Sequence, residues 1–168
     1  MNTKNTNKKF KIVLSVGDES GIGPEIILKA LSSSEIPKNI DFILVGSKKN
    51  LQNTYIHLKA LGLHNLANPS DLQIHDLEIS PSDNESKSSY GNSSFYYLTK
   101  AIEIVKQYPN SALVTGPICK KSWALAGHYF SGQTELLAQS CGVKNVGMLF
   151  TAKSPITGWR FNTLLATT

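Results

Sequence analysis

No stretch of this chain reaches the ~20 consecutive apolar residues that a membrane-spanning helix needs. The N-terminus, MNTKNTNKKF, also lacks the apolar core of a secretory leader. Both absences predict a cytoplasmic protein with no membrane partner. Cysteine is scarce: Cys119 and Cys141 form no C-x-x-C pair and have no zinc-ligand spacing. They predict two buried thiols in a reducing compartment, not a disulfide framework. The histidines, His57, His64, His75 and His128, are scattered without metal-ligand spacing, and each reads as a surface or satisfied side chain. Excess charge is small. The net +5 sits largely in Lys4, Lys8, Lys9 and Lys11, a cluster read as a solvated tail before a strand, with no nucleic-acid partner expected. Internal repeats are absent, which removes solenoids.

What is present is an alternation of strand and helix patterns. Phe10–Val16 is apolar and β-branched enough for a buried parallel strand. It runs into a glycine-rich turn and a helix opened by Pro24 and Glu25, expected to turn Ile26, Ile27, Ala30 and Leu31 inward. A second strand at Asp41–Val45 precedes a helix carrying Leu51, Tyr55, Leu58 and Leu61, closed by Gly62, and a third strand is expected within Leu72–Ile79. The polar run Ser80–Ser94 reads as an exposed loop. After it come a helix over Ser94–Tyr108, a strand at Ala112–Thr115, a short helix near Ser122–Ala126 and another around Thr134–Cys141. Strands at Asn145–Phe150 and Phe161–Ala166 follow, and the apolar pattern is still running at the last residues, which predicts a truncated chain. The alternation predicts a three-layer α/β sandwich with a largely parallel or mixed sheet. Trp123 and Trp159 read as packing residues.

Ligands of open α/β sheets bind at the carboxyl ends of the strands. Two segments fall there. Gly17–Gly23 fits neither G-x-G-x-x-G nor G-x-x-x-x-G-K-[ST], so it is a strand–turn–helix junction of uncommitted purpose, structural or ligand-holding. Its carboxylates, Asp18 and Glu19, oppose direct phosphate binding and favour a hydroxyl-bearing or structural role. The second segment, Thr115-Gly116-Pro117, delivers Lys120 and Lys121 just beyond a strand, where they either hold an anion or are solvated. Asp18, Thr115 and Lys120 are therefore candidate ligand-rim residues. Gln133 and Thr134 open a helix, where they either donate to a ligand or, for Thr134, cap the helix.

Taken together, these motifs resemble the 4-hydroxythreonine-4-phosphate dehydrogenase family of pyridoxal phosphate biosynthesis. Its Gly-Asp-Pro-Ala-Gly-Ile-Gly-Pro-Glu signature stands here as Gly17 to Glu25, with Glu19 and Ser20 as departures. Its Thr-Gly-Pro-Ile followed by lysine matches Thr115 to Ile118 and Lys120. Its Ala-Gly and Phe-x-Gly-His-Thr-Glu match Ala126-Gly127 and Phe130 to Glu135, with Gln133 in the histidine's place. Its Ala-Thr-Thr-His matches Ala166-Thr167-Thr168 as far as the chain goes.

The resemblance implies a three-layer α/β/α fold similar to the isocitrate and isopropylmalate dehydrogenases. Here it would comprise a first domain over 1–118, lacking its C-terminal return, and the start of a second over 119–168. It implies a homodimer that oxidises the C3 hydroxyl of 4-phosphohydroxy-L-threonine with NAD (or NADP), followed by loss of CO2. A divalent metal such as zinc, magnesium or cobalt would assist in the full-length protein. By the same resemblance Gln133 and Thr134 bind substrate, the first metal ligand would follow Thr168, and this chain alone is expected to be inactive. Two alternatives stand beside that reading: a paralogue acting on phospho-threonate or phospho-erythronate, and a non-catalytic phosphometabolite-binding remnant.

Overall fold

The computed structural model describes residues 9–79 and 86–166. Its contacts divide the chain into two units, Met1–Phe130 and Ser131–Thr168.

The first unit is built on four parallel strands: β1 (Phe10–Ser15), β2 (Ile40–Gly46), β3 (Ile74–Asp76) and β4 (Ser111–Thr115), in the order β3-β2-β1-β4. Alternation along β1 sends side chains to two separate cores. Leu14 and Val16 pack with Leu44 and with Ile27, Leu28, Leu51 and Leu58 of α1 (Gly23–Leu31) and α2 (Lys48–Ala60). Val13 packs with Ile43, Val45 and with Tyr97, Ala101 and Ile104 of α3 (Lys87–Val105). A sheet buried on both faces between helices is the three-layer arrangement that the sequence predicts. A short α4 (Lys120–Leu125) follows β4.

Several local expectations are corrected. Helix α1 turns Leu28 inward with Ile27, while Ile26 is exposed and Ala30 faces outward. The inward stripe therefore starts from Gly23 and Pro24, which are themselves buried. Leu61 lies beyond the end of α2 and is exposed. Of the lysine cluster, Lys9 and Lys11 both reach Asp41, at 3.2 and 3.5 Å; Lys4 and Lys8 lie outside the described residues. Cys119 is half-buried and Cys141 exposed, so neither is a core thiol.

The largest correction concerns the polar run. Ser80 to Glu85 lie outside the described residues, but the rest of the expected loop is helical. Ser86 caps α3, its Oγ accepting from the Ser89 amide at 3.2 Å. The small residues that read as loop letters let α4 approach α3 closely. A Cβ at Gly91 would stand 2.0 Å from the Ser122 carbonyl oxygen. Ser94 is fully buried; its Oγ accepts from Trp123 Nε1 at 2.8 Å and donates to the Gly91 carbonyl at 3.0 Å. Phe95 meets the Trp123 ring edge-on at 5.4 Å.

The second unit holds α5 (Gln133–Cys141) and an antiparallel hairpin of β5 (Leu149–Lys153) and β6 (Arg160–Leu164). Gly142, at φ +67°, ends α5 in the left-handed conformation. The strand expected at Asn145–Phe150 starts instead at Leu149. Trp159 is 64% exposed, against a buried packing role, and touches Phe161 at the mouth of the hairpin.

Candidate functional site

The strand order reverses at β1: its sequence neighbour β2 lies on one side and β4 on the other. The carboxyl ends of β1 and β4 are therefore the switch point, where doubly wound sheets place ligands. Here the two strands are joined by backbone. The Gly116 amide donates to the Ser15 carbonyl at 2.8 Å, and the Asp18 amide to the Pro117 carbonyl at 2.9 Å. Gly17 sits at φ +80°, and a Cβ there would fall 2.3 Å from the Pro117 carbonyl oxygen, so two constraints demand glycine.

Asp18 is nearly buried. Its Oδ1 accepts from both the amide (2.9 Å) and the hydroxyl (2.7 Å) of Ser20, and its carbonyl accepts from the Gly21 amide at 3.1 Å. Those bonds make Asp18 a builder of the turn. Thr115 ends β4, opposite Ser15 in register. Lys120 begins α4 and is exposed, and it forms no ion pair among the described residues. Cys119, just before it, has its thiol pKa lowered by hydrogen bonding to the Ser122 side chain and amide; the Asp18 carboxylate opposes that shift. The structure thus gathers Asp18, Thr115 and the start of α4 at one rim of the first unit.

His128 stacks on Phe95, ring centroids 3.7 Å apart and planes within 6°, with Nε2 2.9 Å from Asn92 Oδ1. Burial lowers its pKa, so it is a satisfied packing histidine.

In the second unit Gln133 and Thr134 occupy the first turn of α5. The N-cap is Gly132, in extended backbone, and no side chain caps the helix. The capping alternative for Thr134 is therefore not realised. Thr134 thus lies in the first turn, where helix amides lack intrahelical acceptors and the dipole is positive, features suited to an anion.

Sequence reasoning missed the role of Glu19. Its carboxylate is hydrogen-bonded by the buried Tyr97 hydroxyl, and it lines a 270 Å³ cleft over the ends of β2 and β3. Burial raises the Glu19 pKa, with Asp18 and Asp76 adding to the effect, while the Tyr97 hydroxyl and Ser47 amide oppose it. Tyr97 is itself pushed well up, first by burial and then by Glu19. The one available signal was the Glu-Ser pair standing where the family signature has Pro-Ala.

The doubly wound sheet, helices on both faces and glycine-shaped rim define an α/β unit of the kind found in dehydrogenases. Solved structures share that fold. A 4-hydroxythreonine-4-phosphate dehydrogenase from Burkholderia phymatum matches with a TM-score of 0.72 at 23% identity, over 85% of this chain and 47% of that one. One from Klebsiella pneumoniae matches at 0.68 and 24% identity, over 86% and 48%. The chain belongs to the family described as pyridoxal phosphate biosynthetic protein PdxA, whose sequence model matches residues 38–168. It is 43% identical to a 4-hydroxythreonine-4-phosphate dehydrogenase of Nostoc sp. over 178 residues, 99% of this chain and 48% of that protein. A relative of the same name from a Synechococcus is 43% identical over 94% of this chain and 48% of its own length. A relative from Oceanobacillus iheyensis, whose name assigns it provisionally to D-threonate 4-phosphate dehydrogenation, is 29% identical over 87% of this chain. The chain spans about half the length of the curated relatives it matches.

The metal that the family resemblance implies finds no holder here: among the described residues, no three His, Cys, Asp or Glu side chains converge to hold an ion. No catalytic step is therefore assigned to a metal on these residues.

Proposed function

We propose that this chain supplies the first α/β unit and a substrate-binding helix of a cytoplasmic, homodimeric, NAD-dependent 4-hydroxythreonine-4-phosphate dehydrogenase. NADP remains the alternative nucleotide. The 43% identity to the Nostoc relative across 99% of this chain carries the reading. In the reaction, the C3 hydroxyl of 4-phosphohydroxy-L-threonine is oxidised to a ketone. Its hydride passes to NAD and its proton to solvent or a base. The 3-keto acid then loses CO2 to give 3-amino-2-oxopropyl phosphate. Zinc, magnesium or cobalt would be held by residues other than those described, and would polarise the hydroxyl and stabilise the enolate.

Within this chain, Thr134 and Gln133 orient the substrate from the first turn of α5, where neither side chain caps the helix. Gln133 donates through its amide but carries no charge, so it anchors an anion more weakly than an imidazolium would. On the first unit, taken by itself, Lys120 is a candidate ligand-rim cation, exposed at the start of α4, with Thr115 and Asp18 shaping the turn beside it. The division of the whole protein into a first domain over 1–118 and a second from 119 onward belongs to this same reading.

The experiment is an NAD-reduction assay with 4-phosphohydroxy-L-threonine and added zinc or magnesium. This chain is run beside a version extended by the second half of the Nostoc relative. Turnover only in the extended protein supports the reading. Turnover in neither overturns it for this substrate. A preference for D-threonate 4-phosphate in the extended protein assigns the chain to the paralogue, a reading that Gln133 keeps open.

A further inference from the structure

Position 19 is where this chain departs from the family signature, with glutamate standing in place of proline and Ser20 in place of alanine. Proline stiffens a turn covalently, because its ring holds φ at about −65°. Glutamate leaves that angle free and enlarges the set of unfolded conformations. In this chain the stiffness has to come from side-chain contacts.

The Glu19 carboxylate supplies them. It accepts from the Tyr97 hydroxyl on α3 and from the amide of Ser47, the N-cap of α2. Tyr97 is a rigid anchor, 1% exposed and packed with Val13, Ile43 and Val45. The turn after β1 is thus fastened on the β2 side to a residue 78 positions away. On the β4 side it is fastened by the Asp18 amide and the Gly17 contact with Pro117. Ser20 adds a bond from within, since its hydroxyl joins its amide on Asp18 Oδ1, where alanine would offer the amide alone. Among the described residues the Glu19 amide donates to nothing, so proline at 19 would forfeit no backbone bond. The same α3 holds α4, through Ser94 and Gly91, so the turn and α4 share one support.

Fastening by hydrogen bonds differs from a ring in one respect. Glu19 is only half-buried and lines the cleft, so water can replace Tyr97 and Ser47 around its carboxylate while the sheet stays folded. A pyrrolidine ring has no such open state.

We propose that Glu19 is the positioning residue of a releasable clasp, its carboxylate pinning the Gly17–Gly23 turn to Tyr97 and Ser47 where the family signature relies on proline. The clasp lies wholly within the first unit and does not depend on the reaction proposed above.

The test is NMR-detected amide hydrogen exchange on the isotope-labelled full chain. It follows the Asp18, Ser20 and Gly21 amides, which donate to the Pro117 carbonyl, Asp18 Oδ1 and the Asp18 carbonyl. Glu19→Ala and Tyr97→Phe should each lower their protection about tenfold, as expected for one lost hydrogen bond to a charged acceptor. Glu19→Pro should protect them at least as well as wild type, and Tyr97→Phe added to that variant should change them by less than about twofold, because no carboxylate remains to be released. In wild type their exchange should be nearly independent of low urea, as for an opening that exposes little surface. Unchanged protection in Glu19→Ala or Tyr97→Phe would overturn the proposal. So would a full Tyr97→Phe effect in the Glu19→Pro background, or a Glu19→Pro turn as loose as that of Glu19→Ala. Exchange that follows urea as steeply as global unfolding would overturn it too, since the clasp would then open only with the whole unit.

Discussion

Replacing Gly17 by alanine tests the rim most directly. At φ +80° an L-residue pays roughly 1–2 kcal/mol for the left-handed backbone. The new methyl would also lie 2.3 Å from the Pro117 carbonyl oxygen, which is backbone and cannot rotate away. Relieving that overlap by shifting β1 from β4 costs about 1–3 kcal/mol more. The sum, about 2–5 kcal/mol, is a large share of the ~5–15 kcal/mol that holds a domain folded. Gly62→Ala is the internal control: its φ is +84° but nothing lies within 4 Å, so only the backbone part should appear. The assay is urea unfolding read from Trp123, which is fully buried in the first unit, in a Trp159→Phe background that removes the exposed indole. With an m-value of about 1–3 kcal/mol/M, Gly17→Ala should lower the midpoint by about 1 M or more, and clearly further than Gly62→Ala. Equal midpoints for the two variants would refute the claim that β1 and β4 are locked at Pro117.

Three further outcomes are expected. Trp123→Phe removes the hydrogen bond to Ser94 and leaves space between α3 and α4, costing about 2 kcal/mol in urea unfolding followed by far-UV circular dichroism; a loss below about 0.5 kcal/mol would mean the indole N–H matters little. Glu19 has its folded pKa raised above the ordinary 4.5, so the native state holds its proton to higher pH than the unfolded chain does. Its contribution to stability is thus present below pH 4.5 and lost as pH rises through the folded pKa; melting temperatures of wild type minus Glu19→Gln should fall as pH rises from 4.5 towards 7, and a rise would contradict the assignment. Thr134→Ala should leave stability within about 0.5 kcal/mol, because no cap is lost, while raising KM for 4-phosphohydroxy-L-threonine in the extended protein; a stability loss near the ~1 kcal/mol of a true N-cap would return Thr134 to a structural role.

The sheet was legible because buried parallel strands announce themselves: FKIVLS and IDFILVG are nearly continuous apolar runs, and their ends fall within a residue or two of expectation. The start of α3 was not legible. Ser, Gly and Asn are turn letters in isolation, and only the arrival of Trp123 and Ser122 from α4 makes their smallness an advantage inside a helix. Packing between elements distant in sequence overrides propensity there. Ile26 was misassigned for a simpler reason: the inward stripe of α1 is set by Gly23 and Pro24 passing close beneath the sheet end, which hydrophobicity does not encode. For the site, the motif identities singled out Asp18, Thr115, Lys120, Gln133 and Thr134, but not which carboxylate of the Asp-Glu pair is structural. Partners alone reveal that.

That distinction orders the chemistry of the rim. In an open α/β sheet the crevice at the strand reversal is the usual ligand seat, yet here it is occupied by the chain itself, through the Gly116 and Asp18 amides and the Gly17 contact with Pro117. Asp18, with its Oδ1 committed to Ser20, builds that seal. Glu19, one residue later, carries its carboxylate towards Tyr97 and the ends of β2 and β3. The turn therefore holds one acid in construction and places the other where a solute can reach it. Exchange of the two would undo both functions: a glutamate at 18 is one methylene too long for the tight turn on Ser20, and an aspartate at 19 is one too short to keep the Tyr97 bond. The double exchange Asp18→Glu with Glu19→Asp conserves composition and charge, so any loss of stability it causes measures placement alone. Unchanged urea unfolding in that variant would show that the two carboxylates are interchangeable and that the division of roles is wrong.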